Sequence, residues 1–243
     1  MNKIKLLIIC IFIFSCSKSD RVTSLTLEAY IQNNSFETGA VIACAASDSE
    51  NNNDVLIFYY PELGASNARL YQTSSADVDK NDYINYQQVF TVNLPIFNGY
   101  LSHFIQESML ERWFIVTYEL DNEIKISNPI RSKQILKPTV WEDIVTVNQE
   151  EPGMPLFQWQ ANVTGDNAIY FQIVSDLQDN LLSGTYTNQE RFQYYVIDNV
   201  VLNITREIPP MLILDAPYRF TLMDVSLDNW VNRVTLDKNF INR

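Results

Sequence analysis

Three residue sets in this chain carry side chains suited to chemistry: its cysteines, its single histidine, and a run of alternating oxygen donors. The cysteines are Cys10, Cys16 and Cys44. A thiol can be acylated, oxidised, metallated or used as a nucleophile. Three of them, widely spaced, build neither a Cys-rich zinc site nor a disulfide framework. Cys44 sits in the apolar stretch AVIACAAS with no basic neighbour, which reads as a buried and inert residue. A catalytic triad, a His-ligated metal or an imidazole base would each have to use His103. It lies in Tyr100-Leu101-Ser102-His103-Phe104-Ile105, with no nucleophile motif beside it, and reads as structural. The six glycines are isolated, so no phosphate-cradling G-x-G-x-x-G, P-loop or G-x-S-x-G is present.

The oxygen donors are Asp77-Val78-Asp79-Lys80-Asn81-Asp82. Alternating Asp77, Asp79 and Asn81 make a candidate calcium site, because this spacing converges oxygens on one ion, and the opening resembles an EF-hand loop. The pattern then departs from that loop. Asp82 stands where a glycine turns the chain, and Gln88 where a bidentate Glu closes the site; Lys80 adds positive charge. The competing reading is a solvated acidic loop between strands. Carboxylate-only hydrolysis needs two acids held several ångströms apart across a cleft. The doublets Glu142-Asp143 and Glu150-Glu151 supply acids, but surface charge accounts for them equally well.

Cys16 has the most informative surroundings. Lys3 and Lys5 precede an unbroken apolar run, residues 6–14, too short to span a bilayer core as a helix and suited to the h-region of a secretory signal. Ile13-Phe14-Ser15-Cys16 follows and resembles the lipobox of bacterial lipoproteins, with Phe14 bulkier than the commonest residue there. The resemblance implies cleavage before Cys16, a diacylglyceryl group on its sulfur and an acyl group on the new amino terminus. An ordinary signal peptide is the alternative, but Ile13 is not the small residue that its cleavage site wants. Several acyl chains make a durable membrane anchor, where one alone is marginal. Ser17 after the cysteine implies the outer membrane, with its face undetermined. The Asn- and Ile-rich, Gly-poor style resembles that of flavobacterial proteins.

The rest of the composition narrows the class. The chain has 243 residues, 17 Lys and Arg against 29 Asp and Glu, and a net charge of −12. That balance argues against a nucleic-acid partner, which needs a basic surface. Hydrophobic residues at 47% are those of a globular protein. No motif calls for a cofactor.

Period-two alternation marks half-buried strands and recurs throughout. Leu25, Leu27, Ala29 and Ile31 share one face of an expected first strand, and Phe157, Trp159, Ala161 and Val163 one face of a later one. Further strands are expected at 39–47, 54–60, 68–73, 87–94, 111–120, 123–128, 144–148, 168–175, 181–187, 191–205, 217–225 and 230–236. Residues 97–110 read as a long connection with a helical turn. Asp121-Asn122 suits a tight hairpin, because both residues tolerate positive φ. Short strands punctuated by turns predict an all-β protein.

Pro138 interrupts the pattern within 132–143. The expected organisation is therefore a signal peptide (1–15), a lipid-anchored tether (16–21) and two antiparallel β-sandwich modules (22–137 and 138–243). Trp113–Tyr118, Asp121-Asn122 and Ile124–Pro129 resemble the last two strands of a fibronectin type III-like module. Tyr170–Val174 with 181–187 resembles the middle of a second, immunoglobulin/fibronectin-like one. The second half carries its own inward set, Trp159, Phe171, Ile173, Phe220 and Leu222, and is expected to fold alone from near Lys137. In residues 54–60 both faces are apolar, whereas a two-layer sandwich buries one. The second face must meet the other module, the 97–110 connection, or a partner. The functional expectation is a lipid-anchored envelope protein that binds a protein or polysaccharide, or spaces one. The alternative is a carboxylate-based glycan hydrolase acting outside the cytoplasm.

Overall fold

A computed structural model of the chain describes residues 25–51, 53–160 and 165–243. Cys16, the apolar run before it, the tether, and Ala161 and Val163 lie outside the described residues. The rest is all-β, in four sheets.

The first outer sheet runs Phe36–Val41, Glu123–Ser127, Trp113–Leu120, Ser66–Gln72, Gln87–Val89, with Ile130–Arg131 also on the third of these. The first inner sheet runs Ala43–Ser47, Asp54–Tyr59, Leu101–Glu107, Asn93–Ile96. The second inner sheet runs Val140–Trp141, Val231–Ile241, Pro217–Ser226, Asn167–Ser175, Leu181–Thr187, Val200–Asn203. Thr146–Asn148, Leu156–Gln158 and Arg191–Gln193 form a small second outer sheet. Most pairs are antiparallel; Phe36–Val41 and Val140–Trp141 join their neighbours in parallel.

The four sheets stack in that order. Val55, Ile57, Tyr59 and Phe104 of the first inner sheet pack on Leu70, Phe114, Val116 and Tyr118 of the first outer one. The opposite face of the same inner sheet, through Ala46, Phe58 and Leu101, packs on Phe171, Ile173, Met223, Val225 and Val234 of the second inner sheet. That sheet's other face, Tyr170, Val174, Phe220 and Leu222, meets Phe157 and Phe192 of the second outer sheet, with the Phe157 and Phe220 rings stacked at 3.9 Å. Trp159 belongs to this third core, edge-on to Tyr170 at 5.2 Å.

The stacking answers the question raised by residues 54–60: the second apolar face meets the other half of the chain. It also divides the second half's expected inward set between two cores. Trp159, Phe220 and Leu222 fill that half's own core, but Phe171 and Ile173 point into the core shared with the first half. Trp230 crosses further. It stands in the turn before Val231–Ile241, yet its indole is fully buried among Ala45, Val55 and Phe114 of the first half. Ala45 N–H donates to Asn229 O at 2.9 Å, and the Trp230 indole N–H donates to Lys137 O at 2.8 Å. The connection itself is bonded on both sides. Ser47 and Thr139 exchange hydrogen bonds of 2.8 and 2.9 Å, and Lys137 pairs with Asp166 at 2.6 Å.

Three local expectations change for identifiable reasons. Leu27–Ile31 is a helical turn rather than a strand, with the Thr26 hydroxyl accepting from Ala29 N–H at 3.2 Å. Leu27 and Ile31 satisfy both a period of two and the i, i+4 spacing of a helix; they cap the outer face of the first outer sheet over Tyr71, Ile115 and Ile126. Within 97–110, a strand, Leu101–Glu107, replaces the long connection. Its alternation is hidden because both faces are covered, Leu101 in one core and Phe104 in the other. The expected strands 87–94 and 191–205 each break in two and change sheets, at Phe90–Val92 and at Tyr195, whose φ is 70°. The Asp121-Asn122 hairpin forms as expected, with φ of 52° and 63°.

Candidate functional site

Asp77, Asp79 and Asn81 lie in the loop between Ser66–Gln72 and the short helical turn Tyr83–Asn85. The Asp79 carboxylate accepts from Asn81 N–H at 2.9 Å, and its carbonyl accepts from the Asn85 amide at 3.2 Å. Asp82 accepts from Ile84 N–H at 3.4 Å, capping that turn. Lys80 reaches over the Trp113 ring at 5.0 Å. These acids therefore hold the loop's own backbone. Among the described residues no group of three His, Cys, Asp or Glu is placed to hold a metal ion. Millimolar calcium should leave the melting temperature unchanged in the wild type and in Asp77→Ala/Asp79→Ala. A bound ion at a hundredfold excess over Kd stabilises by about 2.7 kcal/mol, so a rise in the wild type that the double variant loses would reverse this expectation.

His103 faces Phe58 across the first inner sheet, ring centroids 5.7 Å apart. Burial lowers its pKa, against a backbone hydrogen bond at Leu94 that raises it, so the ring is held toward its neutral form. Cys44 is its near neighbour in the same row, opposite Phe58 on the other side. Part of Cys44 reaches the surface, but burial pushes its thiol up to about 12, and a thiol is a poor nucleophile there. Of the acidic doublets, Glu142 pairs with Arg233 at 3.0 Å and Asp143 with Lys238 at 2.5 Å; Glu150 and Glu151 are exposed.

The structure brings together two features the sequence reading passed over. One is a groove of about 670 Å³ between the halves, where Ile96, Phe97 and Leu236 form an apolar wall. Phe97, Asn98 and Gly99 take φ of 49°, 54° and 77° at its lip, a left-handed run that side-chain-bearing residues rarely adopt. The Asn98 amide donates to the Asn180 side chain of the other half, which holds the lip in place. Asp179 and Asp237 line the groove, but Arg219 stands between them, 2.7 and 3.9 Å from their carboxylates.

The second feature is the loop 206–215, where Ile208, Met211, Ile213 and Leu214 are 88, 85, 70 and 66% exposed. Its backbone is fixed at several points. Tyr194 OH donates to Pro210 O at 2.8 Å, Ile213 N–H to Tyr218 OH at 2.8 Å, and the Asn242 amide to Leu212 O at 3.1 Å. Leu212 is buried and roots the loop in the third core. Hydropathy alone reads Met211–Leu214 as core; the preceding Pro209-Pro210, which cannot donate to a sheet, was the available signal that it is not a strand.

No family model and no curated protein matches the chain. Among solved structures it is similar to the chicken interferon gamma receptor alpha chain, at 9% identity and a TM-score of 0.27, over 83% of this chain and 96% of that one. It is also similar to the receptor tyrosine kinase Torso, at 13% identity and a TM-score of 0.25, over 87% of this chain and 76% of that one. Likenesses this slight carry neither site nor activity across.

Proposed function

We propose that the chain is a lipid-anchored cell-envelope protein, built of two sandwich modules with their boundary near Lys137, that acts by binding a protein partner. The observation that carries the reading is the loop 206–215. Four large apolar side chains stand in solvent on a backbone already held by hydrogen bonds. Exposed apolar clusters of this kind mark interaction surfaces, and a loop ordered before it meets its partner loses little conformational entropy on binding. A polysaccharide fits less well, because this loop presents aliphatic side chains and not aromatic faces. The anchor rests on the lipobox resemblance at Cys16 and on the apolar run before it.

A photo-crosslinking residue at Met211 in the native envelope tests the reading, with one at Leu63, an equally exposed turn position on the first half, as control. The expected result is a discrete protein adduct at position 211 and none at 63, lost when Ile213 and Leu214 are both changed to Ser. Equal, diffuse labelling at both positions would remove the loop as a binding surface.

A further inference from the structure

We propose that the Val200–Asn203 edge of the second inner sheet pairs antiparallel with the same edge of a second copy of this chain. The proposal goes beyond the partner reading above, because it rests on a strand's backbone and not on the apolar side chains of the 206–215 loop. A sheet edge offers N–H and C=O groups to any extended chain, and proteins cover or blunt it. The other edges here are managed. Phe36–Val41 carries Glu37, paired with Lys125 at 2.6 Å, and loses register around Gly39, whose φ is 73°. Gln87–Val89 is covered, since Thr26 bridges to Gln87 and Gln88 N–H donates to Leu25 O at 2.9 Å. Ala43–Ser47 is covered by Asn229 O and the Thr139 hydroxyl, which accept from Ala45 and Ser47 N–H at 2.9 Å. Asn93–Ile96 holds Pro95, Val140–Trp141 is two residues long, and Thr146–Asn148 and Arg191–Gln193 are three each. The exposed side chains of Met109, Leu110, Ile135 and Leu136, and of Phe90 and Val92, lie outside strands and offer no such edge.

Val200–Asn203 has no charge and no proline, ends the order of its sheet, and exposes Val201 and Leu202 by 55 and 41%. An extra residue at Val201 leaves it opposite no residue of Leu181–Thr187. Ile204 N–H donates to Gly184 O at 3.0 Å. By the alternation of an antiparallel pair, Leu202 then turns its backbone groups inward to Tyr186, and Asn203 turns its own outward. A two-fold axis through Leu202 uses that edge. Asn203 exchanges hydrogen bonds with Val201 of the copy, and the two Leu202 side chains meet as the closer, non-hydrogen-bonded pair. Charge commits the edge to a second copy. Residues 199–205 are uncharged in a chain of net charge −12, so two copies can approach there without local repulsion. Asp198 stands before this segment, exposed, with Arg191 at 3.8 Å. Arg206 stands after it, fixed by Pro61 O at 3.0 Å and the Tyr100 ring at 4.6 Å. Both are four residues from Leu202, so the axis sets each Asp198 toward the Arg206 of the other copy. An isologous contact of this kind closes at two copies.

The test uses the full chain in mild detergent, read by sedimentation equilibrium and by disulfide trapping. In the non-hydrogen-bonded pair the Cα atoms lie about 4.5 Å apart, within the span of a disulfide. The expected results are a wild type of twice the chain mass, and a disulfide-linked dimer from Leu202→Cys under mild oxidation. Linking should be at least tenfold faster than from Asn203→Cys or from Leu63→Cys, an exposed turn in the first half. The wild type, with Cys44 in the first inner sheet, is the blank. Val201→Lys should make the chain monomeric and slow linking from Leu202→Cys at least tenfold, at an unchanged melting temperature; Asp198→Lys should slow it severalfold. A monomeric wild type overturns the proposal. So does a dimer in which Leu202→Cys links no faster than Leu63→Cys, since the copies then meet elsewhere. Leu202→Cys that links instead to a different protein in the native envelope assigns the edge to another chain's strand and overturns it too.

Discussion

Trp230→Ala is expected to destabilise the whole chain by about 3–5 kcal/mol, the usual cost of emptying an aromatic site in a core, with about 1 kcal/mol more for the lost indole hydrogen bond. The indole is fully buried and donates to Lys137 O. Against a total stability of about 5–15 kcal/mol this is a large fraction. The informative part is where the loss falls. Trp230 belongs by sequence to the second half and by packing to the first, while Phe171, Ile173, Met223 and Val225 close the second half against Phe58 and Leu101 of the first. Denaturant unfolding should therefore be a single transition that moves as one in the variant, whichever tryptophan reports it. A fragment of residues 138–243 should be insoluble, or compact with strong dye binding and no fixed near-ultraviolet signal. Two transitions, with one of them untouched by Trp230→Ala, and a well-folded fragment would show that the halves are independent.

Cys16→Ala should block lipidation. Thioether formation needs a thiol at the cleavage point, and the next cysteine, Cys44, stands inside the first inner sheet opposite Phe58. The variant should accumulate with residues 1–15 attached, or pass to the aqueous phase in detergent phase separation, where the wild type goes to the detergent phase. Intact mass gives the second reading, since the wild type should carry the added acyl mass on a chain beginning at Cys16. Normal cleavage with unchanged partitioning in the variant would sink the anchor reading.

Alternation of apolar residues was enough to read the all-β class and most of the strands, because strands such as Glu123–Ser127 bury Ile124 and Ile126 and turn Glu123 and Lys125 outward with a period of two. Asp121-Asn122 was legible for a local reason: positive φ at both turn residues is a property of those side chains and needs no tertiary partner. The even apolarity of residues 54–60 was also a correct signal that the strand has no solvent face. Its second partner was not readable, since hydrophobic burial is non-directional and any apolar surface would satisfy it.

What tertiary structure alone decided follows from the same limit. Leu27 and Ile31 fit two periodicities, and only the apolar face of the first outer sheet, with the Thr26 hydroxyl capping the turn, selects the helical one. Leu101–Glu107 lost its alternation because cores lie on both sides of it. Met211 and Leu212 are equally apolar in sequence, yet one is in solvent and the other is buried, because the Asn242 and Tyr218 hydrogen bonds set which way each side chain points. Local sequence determined most of the strands and the turns, which depend on a few adjacent residues. The stacking of four sheets, the crossing of Trp230 and the apolar surfaces left uncovered depend on which distant faces meet, and that is settled only when the chain closes on itself.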